Sequence, residues 1–181
     1  MRIILAPDPV LREKCAKVLP NELKSLRAKA KQMAKLMYKS NGCGIAAPQV
    51  GIAKRLMIVD VAERSEDAPE APREPIFFVN PRLLSLSGEK TTEEEGCLSI
   101  PGIAVLIERD MAIVVEYEDF NGETHVISAE GFFARAIQHE LDHLDGTTMF
   151  EHLDPIKRIQ AFREYEDALR AGALPGDTKV D

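Results

Sequence analysis

A His-Glu-x-x-His pattern at residues 139–143 is the part of the sequence best suited to chemistry. On a helix, residues four apart lie one above the other, so His139 and His143 can bind the same metal ion. Glu140 is next to the first histidine, where its carboxylate can act as a general acid and base. The alternative is a pair of surface histidines on an amphipathic helix. Apolar neighbours such as Leu141 favour an inward orientation. The pattern is therefore typical of a metal-dependent hydrolase.

Two histidines do not complete a catalytic metal site, which needs a third protein ligand. His152 is the only later histidine, but it lies well after the pattern and beyond a glycine. The acidic residues Glu151 and Asp154 also follow the helix, and nothing in the sequence favours either of them. The cysteines are the remaining candidates.

The chain has three cysteines, Cys15, Cys43 and Cys97, and this odd number does not suit a disulfide framework. A lone cysteine is usually a small buried apolar residue, and we interpret Cys15 in that way. Cys97 lies instead in a polar segment at 95–99 (Glu-Gly-Cys-Leu-Ser). A thiolate there and two neutral imidazoles would supply three ligands and leave a fourth position open. We therefore predict Cys97 as the third ligand.

A stretch of small residues at 42–49 (Gly-Cys-Gly-Ile-Ala-Ala-Pro-Gln) is the third unusual feature. It does not lead from a strand into a helix, as a dinucleotide-binding fingerprint would, and it lacks the Lys-Ser/Thr of a phosphate-binding loop. Small residues allow the backbone to approach a ligand closely, and Gln49 adds an amide donor. The alternative is a tight turn after a helix with no functional role.

The periodicity of apolar residues predicts an α+β protein rather than alternating βαβ units. Helices are predicted at 21–40, 130–145 and 155–171, and strands at 56–61, 76–79, 82–87, 103–108, 111–118 and 123–128. Asn80-Pro81 is predicted to end the strand at 76–79, and residues 119–122 are predicted to form a hairpin turn. We predict one catalytic domain over 1–181, with an extended arm at 1–20, a solvated loop at 62–75 and a frayed tail at 172–181.

The composition is that of an ordinary globular protein, with 45% hydrophobic and 29% charged residues. A net charge of −7 argues against binding nucleic acid through general electrostatic attraction, so no direct DNA binding is expected. The first apolar run, residues 3–6, ends at Pro7-Asp8 and is too short for a signal peptide or a membrane span. We therefore expect a cytoplasmic protein with no membrane association.

Three motifs together resemble those of the peptide deformylases. They are Gly-x-Gly-x-Ala-Ala-x-Gln at 42–49, Glu-Gly-Cys-Leu-Ser at 95–99 and Gln-His-Glu-x-Asp-His at 138–143, in the order typical of that family. The similarity extends from residues 7–12 through 79–81 to the end of the motif helix. It implies a peptide-deformylase-like α+β fold, in which antiparallel strands pack around a central metal-binding helix, with an N-terminal helix and a C-terminal helix.

The resemblance also implies an activity: removal of the N-formyl group from the N-terminal methionine of newly made polypeptides, with release of formate. N-formyl-methionyl nascent peptides would be the substrates. Cys97, His139 and His143 would bind one divalent metal ion, and Glu140 would be the catalytic carboxylate. Two imidazoles and a thiolate suit zinc, iron, nickel or cobalt, and the resemblance favours Fe(II).

Further roles follow from the resemblance for residues outside the metal set. Gln49 and the backbone amide of Leu98 would stabilise the oxyanion, whereas Gly44 and Cys43 would contact the substrate. Three polar residues are interpreted as partners that orient the ligands: Glu95, Gln138 and Asp142.

The C-terminal helix contacts the ribosome in some relatives, which would suit a substrate emerging from the exit tunnel. The alternative is an amphipathic helix that packs on the domain through Ile156, Ile159 and Phe162. The sequence does not decide between the two.

Three positions depart from the pattern common in the family. Glu93 stands where many relatives carry an apolar residue, Ala104 where an arginine or an aromatic residue is frequent, and Arg135 where some members have an aliphatic residue. These changes leave the metal ligands untouched, but they leave open which substrate side chains are preferred.

Two other functions are compatible with the same residues. A zinc peptidase of the His-Glu-x-x-His type would cleave internal peptide bonds instead of releasing formate. A non-catalytic protein with a structural metal would need a fourth protein ligand, because structural zinc is usually four-coordinate, and Cys43 is the candidate.

Overall fold

The computed structural model describes residues 1–61 and 73–179. The helices and strands, in chain order, are α1 (Leu23–Lys39), β1 (Gly44–Ala46), β2 (Leu56–Val59), β3 (Ile76–Leu86), β4 (Lys90–Cys97), β5 (Ile100–Asp110), β6 (Ala112–Glu118), β7 (Thr124–Glu130), α2 (Gly131–Leu144) and α3 (Pro155–Arg170). All three predicted helices are present. The solvated loop predicted at 62–75 lies outside the described residues except for its last three.

The strands form two antiparallel sheets. One has five strands in the order β1-β2-β3-β6-β7, and the other is the hairpin of β4 and β5. Helix α2 packs against β1 and β2 of the larger sheet and against β5 of the hairpin. The predicted α+β fold, with antiparallel strands around a central helix, is confirmed.

The apolar stripe of α2 explains how the helix is held. Ile137, Leu141 and Leu144 recur at helical spacing and are buried against Met57 and Phe78 of the sheet. Full burial of a side chain of this size stabilises a fold by about 1.5–3 kcal/mol. Because the stripe fixes the rotation of the helix, the two histidines are turned toward the hairpin and Glu140 is turned toward Gly44 of β1.

The strand break predicted at Asn80-Pro81 is wrong, because β3 runs through both residues as one strand. The register of β3 against β6 shifts between Val79 and Arg82, which is the mark of a β-bulge. Asn80 has a positive φ of 50°, and its side chain accepts from Val18 N at 2.8 Å and donates to Val18 O at 3.0 Å. A bulge also accommodates proline, which lacks the N–H that a regular ladder needs.

Strands β1 and β4 were not predicted from the sequence. β1 has three residues and lies within the small-residue stretch, all of them buried. β4 begins Lys-Thr-Thr-Glu-Glu-Glu, and its buried positions include the charged Glu95. An alternation of apolar and polar residues is therefore missing from β4.

Helix α3 packs through small residues and one tyrosine, not through the predicted isoleucines. Ile156 is 71% exposed and Ile159 is 56% exposed, so these two residues do not make the packing contacts that the amphipathic alternative gave them. Ala161, Tyr165 and Ala168 are buried instead. Tyr165 also donates a hydrogen bond of 2.8 Å from its hydroxyl to the carbonyl of Ala6 in the N-terminal arm. Of the predicted trio, Phe162 alone packs against the buried core.

The tail and the N-terminal arm are tied to the rest of the chain by backbone hydrogen bonds. In the tail, for which the sequence predicts fraying, Ala173 N donates to Ala168 O at 2.9 Å and Asp177 O accepts from Gly102 N at 2.7 Å. In the arm, Ala6 N donates to Ser99 O at 2.9 Å. No helix in residues 1–61 and 73–179 combines the length and the apolar character that a membrane span requires.

Candidate active site

The structure brings the three predicted ligands together. Cys97 ends β4, and His139 and His143 lie one turn apart on α2. One ligand atom from each lies within 4.8 Å of the other two, and all three side chains are buried. Cys97 Sγ and His143 Nε2 are 3.3 Å apart. Cys43 does not belong to this group in the described part of the chain, so a closed four-ligand site with Cys43 is not formed.

The charges in this group favour a thiolate. Burial raises the pKa of the Cys97 thiol, but the charge of His143 and a hydrogen bond with His139 outweigh burial and bring the pKa to about 5. Burial lowers the pKa of His139, whereas its hydrogen bonds with Cys97 and Glu95 raise it well above the ordinary value. A thiolate held between two imidazole rings is a donor set that zinc, iron, nickel and cobalt all accept.

Glu140 lies beside the group, and one oxygen of its carboxylate has no partner in the described residues. Its side chain is buried, and Oε2 has no hydrogen-bond partner among residues 1–61 and 73–179. Such an atom is costly unless a ligand, a water molecule or a metal ion satisfies it. Burial raises the pKa of Glu140 to about 7, which suits a group that takes up and gives back a proton near neutral pH. The residues present therefore fit a catalytic metal ion.

Gly44 makes room for this carboxylate. A Cβ atom built on Gly44 would collide with Glu140 Oε1 and would lie 2.9 Å from its Cδ. Real Cβ atoms do not approach other atoms so closely, so a side chain at position 44 would displace the carboxylate. The sequence predicted that Gly44 contacts the substrate, but it did not predict that Gly44 leaves space for the Glu140 carboxylate.

Gln49 is held so that its amide nitrogen faces the thiol. Oε1 accepts from Ala46 N at 2.8 Å, which fixes the orientation of the amide. Nε2 lies 3.2 Å from Ser99 Oγ and 3.6 Å from Cys97 Sγ. Ile4 N of the N-terminal arm donates to the Gln49 carbonyl at 2.8 Å. The side chain is 1% exposed, so it is a rigid donor beside the metal-ligand group.

Glu95 connects His139 to a buried network. Its Oε2 lies 2.9 Å from His139 Nδ1, which leaves Nε2 of that ring free to bind a metal. Arg109 donates to both oxygens, from Nε at 2.9 Å and from Nη2 at 3.0 Å. Arg109 Nη1 also donates to Asp142 at 2.6 Å, and Asp142 lies 2.7 Å from His152 Nε2. Of the predicted orienting residues, Glu95 contacts the predicted ligand His139 directly, and Asp142 is connected to Glu95 through Arg109.

The third predicted orienting residue, Gln138, does not contact the ligands. Its Nε2 donates to the Asp110 carbonyl at 2.9 Å, and its Oε1 accepts from the Asp110 N–H at 3.3 Å. Gln138 therefore connects α2 to the end of β5. It sets the position of the helix that carries the ligands, and not the orientation of either ring.

A cavity of about 210 Å³ opens onto this group. Its walls include the main chain and side chains of 41–44 on one side and of 94–98 on the other, with Phe132 and Ala136 from α2. Residues 176–178 of the tail complete the wall, and the Thr178 methyl would be 2.8 Å from a Cβ on Gly96. Gly44, Cys43, Gln49, Leu98 and Glu140 all line the cavity.

Three parts of the site were missed from the sequence: Arg109, Ser99 and the tail residues 176–178. Arg109 lies in a run of charged residues that looks like an exposed strand end, and its burial depends on Glu95, which is distant in sequence. Ser99 was noted only as part of a motif. The tail, rich in glycine and polar residues, carries no signal of packing.

Comparison with known proteins agrees with this geometry. The family model of polypeptide deformylase matches residues 1–159. A peptide deformylase of Rhizobium meliloti (strain 1021) is 38% identical over 168 residues, which are 93% of each chain. One from Bartonella bacilliformis is 39% identical, over 95% of this chain and 94% of the relative. The crystal structure of peptide deformylase from Ehrlichia chaffeensis superposes with a TM-score of 0.85 at 35% identity, covering 94% of this chain and 97% of that one.

Proposed function

Because the chain belongs to the peptide deformylase family, and is a hydrolase that removes the N-formyl group from nascent polypeptides, we propose a role for each residue of its site. Cys97, His139 and His143 hold the metal ion, and Glu140 is the catalytic acid–base group. The observation that carries this proposal is the convergence of a thiol and two imidazoles beside the unpartnered Glu140 Oε2. We further propose Fe(II) as the ion used in the cell, although the donor set also suits zinc, nickel and cobalt.

A bound divalent ion would polarise the formyl carbonyl and make a water molecule more acidic. Glu140 accepts a proton from the water that attacks the formyl carbon. When the C–N bond breaks, Glu140 donates that proton to the departing amine, so that formate and a free amino terminus result. The raised pKa of Glu140, about 7, allows both transfers near neutral pH.

Negative charge develops on the formyl oxygen as the water adds. We assign the donors that meet it to Gln49 Nε2 and the Leu98 backbone amide, both of which line the cavity. Loss of one such donor typically lowers kcat by about 100- to 1,000-fold. Gly44 and Cys43, on the opposite wall, contact the substrate main chain.

The decisive test is an anaerobic assay on formyl-Met-Ala-Ser and its acetyl-Met-Ala-Ser counterpart, with elemental analysis of the purified protein. We expect one metal ion per chain and one formate released per new amino terminus, with no product from the acetyl peptide. Cleavage of the Met–Ala peptide bond in either peptide, with or without release of formate, would point to the zinc-peptidase alternative. Metal binding with no turnover of either peptide would point to a structural metal.

We also propose that α3 contacts the ribosome, and that the protein works in the cytoplasm, where formylated chains emerge. The supporting feature is an exposed apolar face of Ile156 and Ile159, beside the exposed Lys157. A change of Ile156 and Ile159 to serine is expected to reduce co-sedimentation with ribosomes at least about fivefold, because exposed apolar groups at the centre of an interface contribute much of its affinity. Formate release from free peptide should be unchanged. A serine at Leu86, an exposed residue of β3, is the matched control; equal ribosome binding by all variants would exclude this surface.

A further inference from the structure

Arg135 is a buried arginine in the wall of the active-site cavity, one turn before His139 on α2. Its side chain is only 5% exposed. Each nitrogen of the guanidinium lies near at least one acceptor of the β4–β5 hairpin: Thr91 O (3.0 Å), Thr91 Oγ1 (2.9 Å), Ile107 O (3.0 Å), Glu95 Oε1 (2.8 Å) and Glu93 Oε2 (3.3 Å). The guanidinium is thus engaged by the protein and does not present its charge to a substrate.

The pattern of these contacts joins two elements that carry metal ligands. Cys97 is on the hairpin and His139 is on α2, so the relative position of hairpin and helix determines whether the ligands converge. Arg135 crosses this boundary with a planar group that binds the backbone of both strands and side chains of β4. Arginine suits this position because its rigid fork holds several acceptors at once.

Glu95 is the point at which Arg135 acts on a ligand. Glu95 Oε1 accepts hydrogen bonds from Arg135 Nη1 at 2.8 Å and from Arg109 Nε at 2.9 Å, while Oε2 faces His139 Nδ1. Arg109 comes from β5 and Arg135 from α2, so the carboxylate is held from two directions. Arg109 also donates to Oε2, from Nη2 at 3.0 Å, so without Arg135 the carboxylate would be held by an arginine of β5 alone and would lose its arginine contact with α2, the helix that carries His139.

We propose that Arg135 is a positioning residue that acts through Glu95 to hold His139 in its metal-binding orientation. The proposal rests on the ligand assignment made above. It also assigns Glu93 a minor part, since its side chain is 57% exposed and meets Arg135 only at Nε. Partners that orient metal ligands typically change metal affinity by about 10- to 100-fold when removed.

The test compares a double variant, Arg135→Ile with Glu93→Ile, with the single control Glu93→Gln. The double change removes both charges of the Arg135–Glu93 ion pair, while Glu95 keeps Arg109 as its only arginine partner and still faces His139. Zinc-loaded proteins are mixed with excess chelator, and the rate of zinc loss is followed. We expect the double variant to lose zinc about 10- to 100-fold faster than the wild type, and Glu93→Gln to stay within about twofold. The KM of the double variant should remain near the wild-type value.

The thermal unfolding of the metal-free proteins shows whether the variants are folded. If the double variant is not, Arg135→Lys decides, because an ammonium can reach Glu95 but cannot hold Thr91 and Ile107 at the same time. Faster zinc loss from Arg135→Lys than from Glu93→Gln supports the proposal. Zinc loss at the wild-type rate from a folded Arg135 variant overturns it. Failure of the ligand assignment is recognised separately, since Cys97→Ala would then retain zinc as well as the wild type does.

Discussion

Replacement of Glu140 by glutamine is expected to lower kcat by about 100- to 10,000-fold while the protein still binds one metal ion per chain. This range is the usual contribution of a positioned general acid–base group. An amide of the same shape keeps the packing under Gly44, but it can neither accept a proton from water nor donate one to the amine. The measurement is kcat for formate release together with elemental analysis of the same sample.

The matched control for this variant is Glu94→Gln. Glu94 lines the same cavity, but its side chain is 59% exposed and its ion pair with Lys179 is long, at 3.8 Å. Such surface pairs contribute little, so kcat should change less than about threefold. If Glu140→Gln and Glu94→Gln both retain wild-type kcat with metal bound, Glu140 is not the acid–base group.

The convergence of Cys97, His139 and His143 could be predicted because its signals are short in sequence. Two histidines four residues apart on one helix point to the same side whatever surrounds them, and a cysteine in a polar segment is unusual enough to notice. The apolar stripe of α2, with Ile137 and Leu141, was equally local and was placed correctly. These features depend on helix geometry alone.

The parts of the fold that were mispredicted depend on partners that are distant in sequence. β4 places Glu95 in the interior, which is favourable only because Arg109 and Arg135 neutralise it there. The bulge at Asn80 is stabilised by the backbone of Val18, which lies 62 residues away. Taken alone, the sequence of β4 predicts a polar loop, and the sequence around Asn80 predicts the end of a strand.

The C-terminal region illustrates the same limit for amphipathic patterns. Ile156 and Ile159 have the spacing of a buried stripe, yet α3 lies on β5 through Ala161 and Ala168. Small residues allow the helix to approach the hairpin closely, and the larger apolar side chains are left outside. The pattern indicated a helix correctly, but of the three residues in the amphipathic alternative only Phe162 packs against the core.

Loss of the Cys97 thiolate is expected to have the largest effect on the metal itself. Cys97→Ala removes one of three predicted ligands, and we expect metal content to fall below about one tenth of an ion per chain after dialysis. Loss of an orienting partner lowers metal affinity by roughly 10- to 100-fold, and loss of a ligand must lower it further. Activity should fall with it. The cause is the missing thiolate, whose pKa of about 5 makes it available near neutral pH.

Cys43→Ala is the control that separates the two possible roles of a cysteine at this site. Cys43 lines the same cavity, and burial, then the nearby charge of Glu140, raises the pKa of its thiol, so that it stays protonated and binds metal poorly. We therefore expect full metal content in Cys43→Ala. The opposite result, with metal kept in Cys97→Ala and lost in Cys43→Ala, would require a different ligand set. Far-ultraviolet circular dichroism of each metal-free variant distinguishes loss of a ligand from loss of the fold, because α2, which carries both histidines, is held by its apolar stripe and not by Cys97.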